Sequence, residues 1–156
     1  MAAWHLSAAA ERLREEINTL WPNRDKRSDG SKGDAAHAKR VSDHNPDPKT
    51  GVVRAIDVDE DLWGVDGSNP QTANRLCREL IAIAKKDKRL KYIIFEGSIW
   101  SKTFLWIKRP YSGSNPHQHH IHISFTPAGD NDGSPFGLVK ALKDELPALK
   151  KIDKVK

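Results

Sequence analysis

The chain has 156 residues, 37% of them hydrophobic and 30% charged, a length that suits one domain with one core. Its single cysteine, Cys77, excludes an internal disulfide framework and a cysteine-based zinc finger, and no apolar run approaches the roughly 20 residues of a membrane-spanning helix. A formal charge of +5 draws such a chain to polyanions (nucleic acid, anionic lipid or an acidic cell wall) without choosing among them.

In chain order, Leu6, Ala9, Ala10, Leu13, Ile17 and Leu20 recur at helical spacing and predict an amphipathic helix over 7–20, ended by Trp21-Pro22. Residues 22–34 are a polar, glycine-containing loop, "DAAHAKR" offers one or two helical turns, and "SDHNPDPKTG" is irregular. "VVRAIDVD" (52–59) reads as a strand, with Ile56 and Val58 on one side and Ala55, Asp57 and Asp59 on the other.

Ser68 or Asn69 caps the next helix, Pro70 suits its first turn, and Ala73, Leu76, Cys77, Leu80, Ile83 and Ala84 form its apolar stripe over about 70–86. Cys77 on that stripe reads as a small core residue. "KYIIFEG" (91–97), "TFLWIKR" (103–109) and "HIHISF" (120–125) read as strands. Trp100, Trp106 and Tyr111 are core or groove-wall aromatics. The order of elements predicts an α+β fold. Residues 1–134 read as a single domain, followed over 135–156 by a basic helix or tail, interrupted by Pro147, that is not a separate domain.

"NPHQHHIHISF" concentrates four of the seven histidines: His117, His119, His120 and His122. On a strand from His120, Ile121, Ile123 and Phe125 point to the core, while His120, His122 and Ser124 share the other face. Two imidazoles so placed suit a metal ligand beside a catalytic side chain, or two ligands. A catalytic zinc takes three protein ligands and keeps one position open. His44 of "SDH", Asp57 of "AIDVD" and a histidine of this strand supply such a set.

The pattern "SDH…AIDVD…HHIH" resembles the Ser-x-His, Ala-x-Asp and His-x-His signature of a zinc peptidase superfamily. That superfamily spans D-Ala-D-Ala carboxypeptidases, L-alanyl-D-glutamate endopeptidases of phage endolysins, lysostaphin-type enzymes and hedgehog-like domains. The resemblance covers roughly 20–126 and is strongest to endolysin-type peptidoglycan peptidases. It implies a small antiparallel sheet flanked by helices with the zinc site in a cleft on the sheet. It also implies that His44, Asp57 and His122 are ligands to Zn2+ and that His120 is an active-site residue beside the reacting water or oxyanion. Other branches place the general base three or five residues before the last ligand, here His119 and His117. Twelve residues separate His44 from Asp57, more than many members have, so "NPDPKT" reads as an inserted loop and Asp59, on the same strand face, is the rival carboxylate.

The function expected is metal-assisted hydrolysis of a peptidoglycan amide bond. Arg40 and His37 are substrate-binding candidates, and Arg54 is a second cation able to grip a carboxylate. A monomer acting on peptidoglycan is expected, with no nucleic acid and no stable membrane insertion. The opening "MAAWHLSAAAERL" lacks the basic-then-apolar order of a signal peptide, so release through a holin-type pore is expected. The competing classes are a metal-dependent nuclease, which shares the histidines and the basic charge, and a non-catalytic module with a closed zinc site.

Overall fold

A computed structural model of the chain describes residues 3–33, 41–65, 70–113 and 119–155. The elements are β1 (His5–Leu6), α1 (Ala8–Leu20), β2 (Val52–Val53), β3 (Ala55–Asp59), α2 (Pro70–Ala84), β4 (Leu90–Phe95), β5 (Ser98–Ser101), β6 (Arg109–Pro110), β7 (His120–Phe125), α3 (Leu138–Leu142) and α4 (Leu146–Ile152). The fold is α+β. Its five-stranded antiparallel sheet has the order β3-β7-β4-β5-β6, and a short parallel pair joins β1 to β2.

Helix α1 begins where the Ser7 side chain accepts from Ala10 N–H, satisfying an orphan donor of the first turn, and ends at Trp21. The expected strand over 52–59 is split at Arg54. The Arg54 guanidinium is pinned by Asp130 (2.6 and 2.7 Å) and Asp47 (3.1 Å), so this cation is a tie between loops.

The strand faces separate the sheet's two jobs. Ile56, Val58, Ile93, Phe95, Ile121, Ile123 and Phe125 point to the side covered by α1, α2 and α3, and there they join Leu13, Ile17, Leu76, Leu80, Leu138 and Leu142 in one core. Each such aliphatic or aromatic side chain contributes roughly 1.5–3 kcal/mol by leaving water. Cys77 lies in this core at 3% exposure. The opposite face carries Asp57, His122, Ser124, Tyr92 and Ile94.

Between Leu90 and Tyr92 the pairing of β4 with β7 slips by one residue. This bulge lets Leu90 and Ile93 both face the core while Tyr92 faces the histidines, and it bends the strand beside them.

One expected strand is absent. Residues 102–104 form a 3₁₀ turn, and Leu105 and Trp106 adopt left-handed φ values of 57° and 62°, which a strand cannot contain. The strand is instead Ser98–Ser101. It is reached through a two-residue hairpin at Glu96 and Gly97, whose φ values of 48° and 75° are both positive, as a type I′ turn requires.

The C-terminal segment is stitched to the domain. The buried Glu16 carboxylate accepts from the backbone N–H groups of Phe136 and Leu138, each at 3.0 Å. Asp153 accepts from Gln71 N–H, Thr72 N–H and the Thr72 hydroxyl, so its carboxylate caps the first turn of α2. The expected caps Ser68 and Asn69, and the expected turns of helix at 34–40, lie outside the described residues.

Candidate metal centre

Asp57 and His122 are direct cross-strand partners on β3 and β7, which follows from the alternation of both strands and their antiparallel register. His44 arrives from the irregular loop after residue 41. That loop is fixed locally: Ser42 Oγ accepts from His44 N–H (3.2 Å), Gly33 N–H donates to the His44 carbonyl (2.9 Å), and Asp47 Oδ1 accepts from the N–H groups of Lys49 and Thr50.

The three side chains converge on one point. His44 Nε2 is 3.2 Å from His122 Nδ1 and 3.3 Å from Asp57 Oδ2, and His122 Nδ1 is 3.1 Å from Asp57 Oδ1. Ligands at roughly 2.0–2.1 Å around a tetrahedral ion are separated by about 3.3 Å. In this triangle of side chains Asp57 turns Oδ1 to His122 and Oδ2 to His44, and the contacts are close to the ligand spacing of such a shell. His44 and His122 are buried, Asp57 is partly buried, and the group could hold a metal ion.

The outer ring atoms are held as metal-binding histidines require. His44 Nδ1 lies 2.5 Å from the Ser31 carbonyl, which can only accept, so Nδ1 carries a proton and Nε2 is the nitrogen left to bind a metal. His122 Nε2 lies 2.7 Å from Ser124 Oγ, leaving Nδ1 for the centre. The Tyr92 ring stacks on His122 at a centroid distance of 5.3 Å and an interplanar angle of 15°.

The loop before His44 backs the carboxylate. Gly30 and Asp57 exchange backbone hydrogen bonds of 3.2 and 2.8 Å, and a Cβ on Gly30 would stand 3.2 Å from Asp57 Oδ2. Ser31, the residue that fixes His44, follows directly.

The electrostatics follow from this crowding. Burial opposes ionisation of Asp57, but its hydrogen bonds with His122 and His44 outweigh that and hold its carboxyl well below the ordinary range. Burial likewise opposes charge on His44, and the Asp57 carboxylate reverses the sign and raises its pKa. His120 goes the other way: burial lowers its pKa, with Asp57 opposing.

His120 stands beside the triangle, its Nε2 3.6 Å from Asp57 Oδ1. His119 is turned outward. Its side chain is 83% exposed, its Nδ1 is 3.8 Å from Glu60 Oε1, and it lines a neighbouring cavity with Ser28, Asp59 and Glu60. Asp59, the rival carboxylate, accepts from Ser28 N–H (3.0 Å), Ser28 Oγ–H (2.7 Å) and Asp61 N–H (2.8 Å), so its oxygens serve the loop and not the triangle. His117, Arg40 and His37 lie outside the described residues.

Sequence reasoning passed over Tyr92, the Ser31 carbonyl, Gly30 and the role of Ser124. Tyr92 alternates with Ile93 on a recognisable strand and was open to the same reading as His122. The Ser31 carbonyl left no signal, because a backbone acceptor has no residue type. No family model matches the chain, and no curated protein and no solved structure is found to be similar to it.

Proposed function

We propose that the chain is a zinc-dependent peptidase that hydrolyses an amide bond in the peptide part of bacterial peptidoglycan. The observation that carries the reading is the convergence of His44 Nε2, the two oxygens of Asp57 and His122 Nδ1, with contacts of 3.1–3.3 Å and both outer imidazole nitrogens hydrogen-bonded. Two imidazoles and one carboxylate are a donor set suited to zinc, and three protein ligands leave a position open. A zinc ion held there would lower the pKa of a coordinated water towards 7 and polarise a carbonyl.

The chain's own residues supply the rest. His120, 3.6 Å from Asp57, is placed to accept a proton from the attacking water and return it to the leaving amine. Protonated, the same imidazole can stabilise the developing oxyanion. Tyr92 covers one face of His122 and keeps water from it. The basic character of the chain favours an acidic wall.

A non-catalytic zinc module is the second reading: His120 Nε2 is 3.6 Å from Asp57 Oδ1, and a shift of this side chain towards His44 and His122 would supply a fourth ligand and close the shell. The experiment is mass spectrometry of muropeptides from purified peptidoglycan, together with metal analysis of the purified chain. About one zinc per chain and chelator-sensitive release of free amines are expected, with plasmid DNA left intact. His122→Ala should abolish both zinc retention and release. Zinc binding with no new amine would establish the closed module, and full wall-degrading activity in His122→Ala would overturn the site itself.

A further inference from the structure

At the end of α2, on the side of the sheet away from the histidines, the turn after β5 meets the residues that follow the helix. Lys85, Lys86, Lys88 and Lys102 line a cavity of about 500 Å³ there, with Leu105 and Trp106. All four lysines are exposed, as is Lys108. Asp87, the acid among them, is taken by Arg89 at 2.7 Å. Beside this cationic ring stand three exposed apolar side chains: Phe104 at 48%, Leu105 at 77% and Ile107 at 62%.

The turn is built to present them. Leu105 and Trp106 are consecutive left-handed residues. Hydrogen bonds hold the backbone on both sides: Leu105 N–H to the Lys102 carbonyl (3.2 Å), Trp106 N–H to the Ser101 carbonyl (2.8 Å) and Ile107 N–H to the Phe104 carbonyl (3.1 Å). The Trp106 side chain is buried in the core and anchors the turn from below, while Leu105 next to it projects outward. The Arg109 guanidinium lies 3.5 Å from the centre of the Phe104 ring and adds another cation to the patch.

We infer that this corner docks on an anionic lipid bilayer. Three apolar tips ringed by lysines match an interface with an apolar interior and a negative surface. A purely polyanionic partner would satisfy the lysines and leave Leu105 and Ile107 without a role. A second copy of the chain would set lysine against lysine across a two-fold axis. Docking here leaves the histidine face of the sheet open to a separate substrate, so the inference stands independently of the proposed peptidase activity.

The test is co-sedimentation of the full chain with vesicles of phosphatidylglycerol and phosphatidylcholine in equal parts, and with phosphatidylcholine alone, at low and at physiological salt. Binding to the anionic vesicles only, weakened by salt, is expected. Replacing any one of these lysines by neutral Gln, Lys85→Gln for example, should weaken it about fivefold. The double variant Leu105→Asn, Ile107→Ser should weaken it about tenfold or more with an unchanged melting temperature, since both side chains are exposed and Asn tolerates the left-handed backbone. Absence of binding overturns the inference. So does binding that depends on the lysines but not on Leu105 and Ile107, which would assign the patch to soluble polyanions such as polyphosphate or DNA.

Discussion

His122 is held at three places: Asp57 and His44 at Nδ1, Ser124 at Nε2 and the Tyr92 ring on its face. Ser124→Ala removes the hydrogen bond that orients the His122 ring without touching a ligand. We expect metal affinity to fall about 10–100-fold, read by competition with a chromogenic chelator, while the circular dichroism spectrum is unchanged. Cys77 gives a second residue-scale prediction. Burial pushes its thiol up to about 12, so thiolate is scarce at neutral pH. Iodoacetamide should leave Cys77 intact in the folded chain and label it rapidly in denaturant; rapid labelling without denaturant would contradict its place in the core. The choice between Asp57 and Asp59 shows where residue-level reading stops. Both carboxylates share one strand face, and what separates them is Ser28, a residue about 30 positions earlier that occupies Asp59. No local pattern encodes that contact.

At the scale of elements, the hairpin between β4 and β5 turns on Glu96 and Gly97. A type I′ turn prefers Asn before Gly, because Asn tolerates positive φ better than Glu. Glu96→Asn should therefore stabilise the fold by about 0.5–1 kcal/mol, and Gly97→Val should destabilise it by about 1–2 kcal/mol, both read from urea denaturation midpoints. The same turn explains the misplaced strand. Phe104, Trp106 and Ile107 have the composition of a strand, and composition outweighed the Glu-Gly signal that starts the true one at Ser98. By contrast β3 and β7 were legible because each alternates apolar and polar residues, and alternation alone put Asp57, His120 and His122 on one face. The bulge at Lys91 was not legible, since it depends on register with β7.

Over the whole molecule, polar ties, some local and some between distant segments, supplement the apolar core, and several of them titrate. Burial opposes ionisation of Asp87, yet its hydrogen bonds with Arg89 hold its carboxyl below the ordinary range, and in the metal-free chain Asp57 is depressed as well. A carboxylate depressed by folding contributes stability that is complete above its unfolded pKa of about 3.9 and is lost as pH falls through the lower folded value. The melting temperature of the metal-free chain should thus fall steeply below about pH 4, and a flat profile there would contradict these ties. Glu16 joins the first helix to the last segment. Glu16 is 7% exposed, and its carboxylate accepts from two backbone N–H groups, of Phe136 and Leu138, across 120 and 122 residues. Leu138 and Leu142 enter the core only if that backbone descends to α1. Glu16→Ala leaves both donors buried without a partner, an expected loss of about 2–3 kcal/mol, or a drop in melting temperature of roughly 5–10 °C for a chain of this length. Glu16→Gln keeps one acceptor and should lose about half as much. Hydrogen exchange separates this from general destabilisation: in Glu16→Ala the amides of Phe136 and Leu138 should lose protection before those of β4 and β7, because the sheet's ladder is intact when the C-terminal segment lifts away.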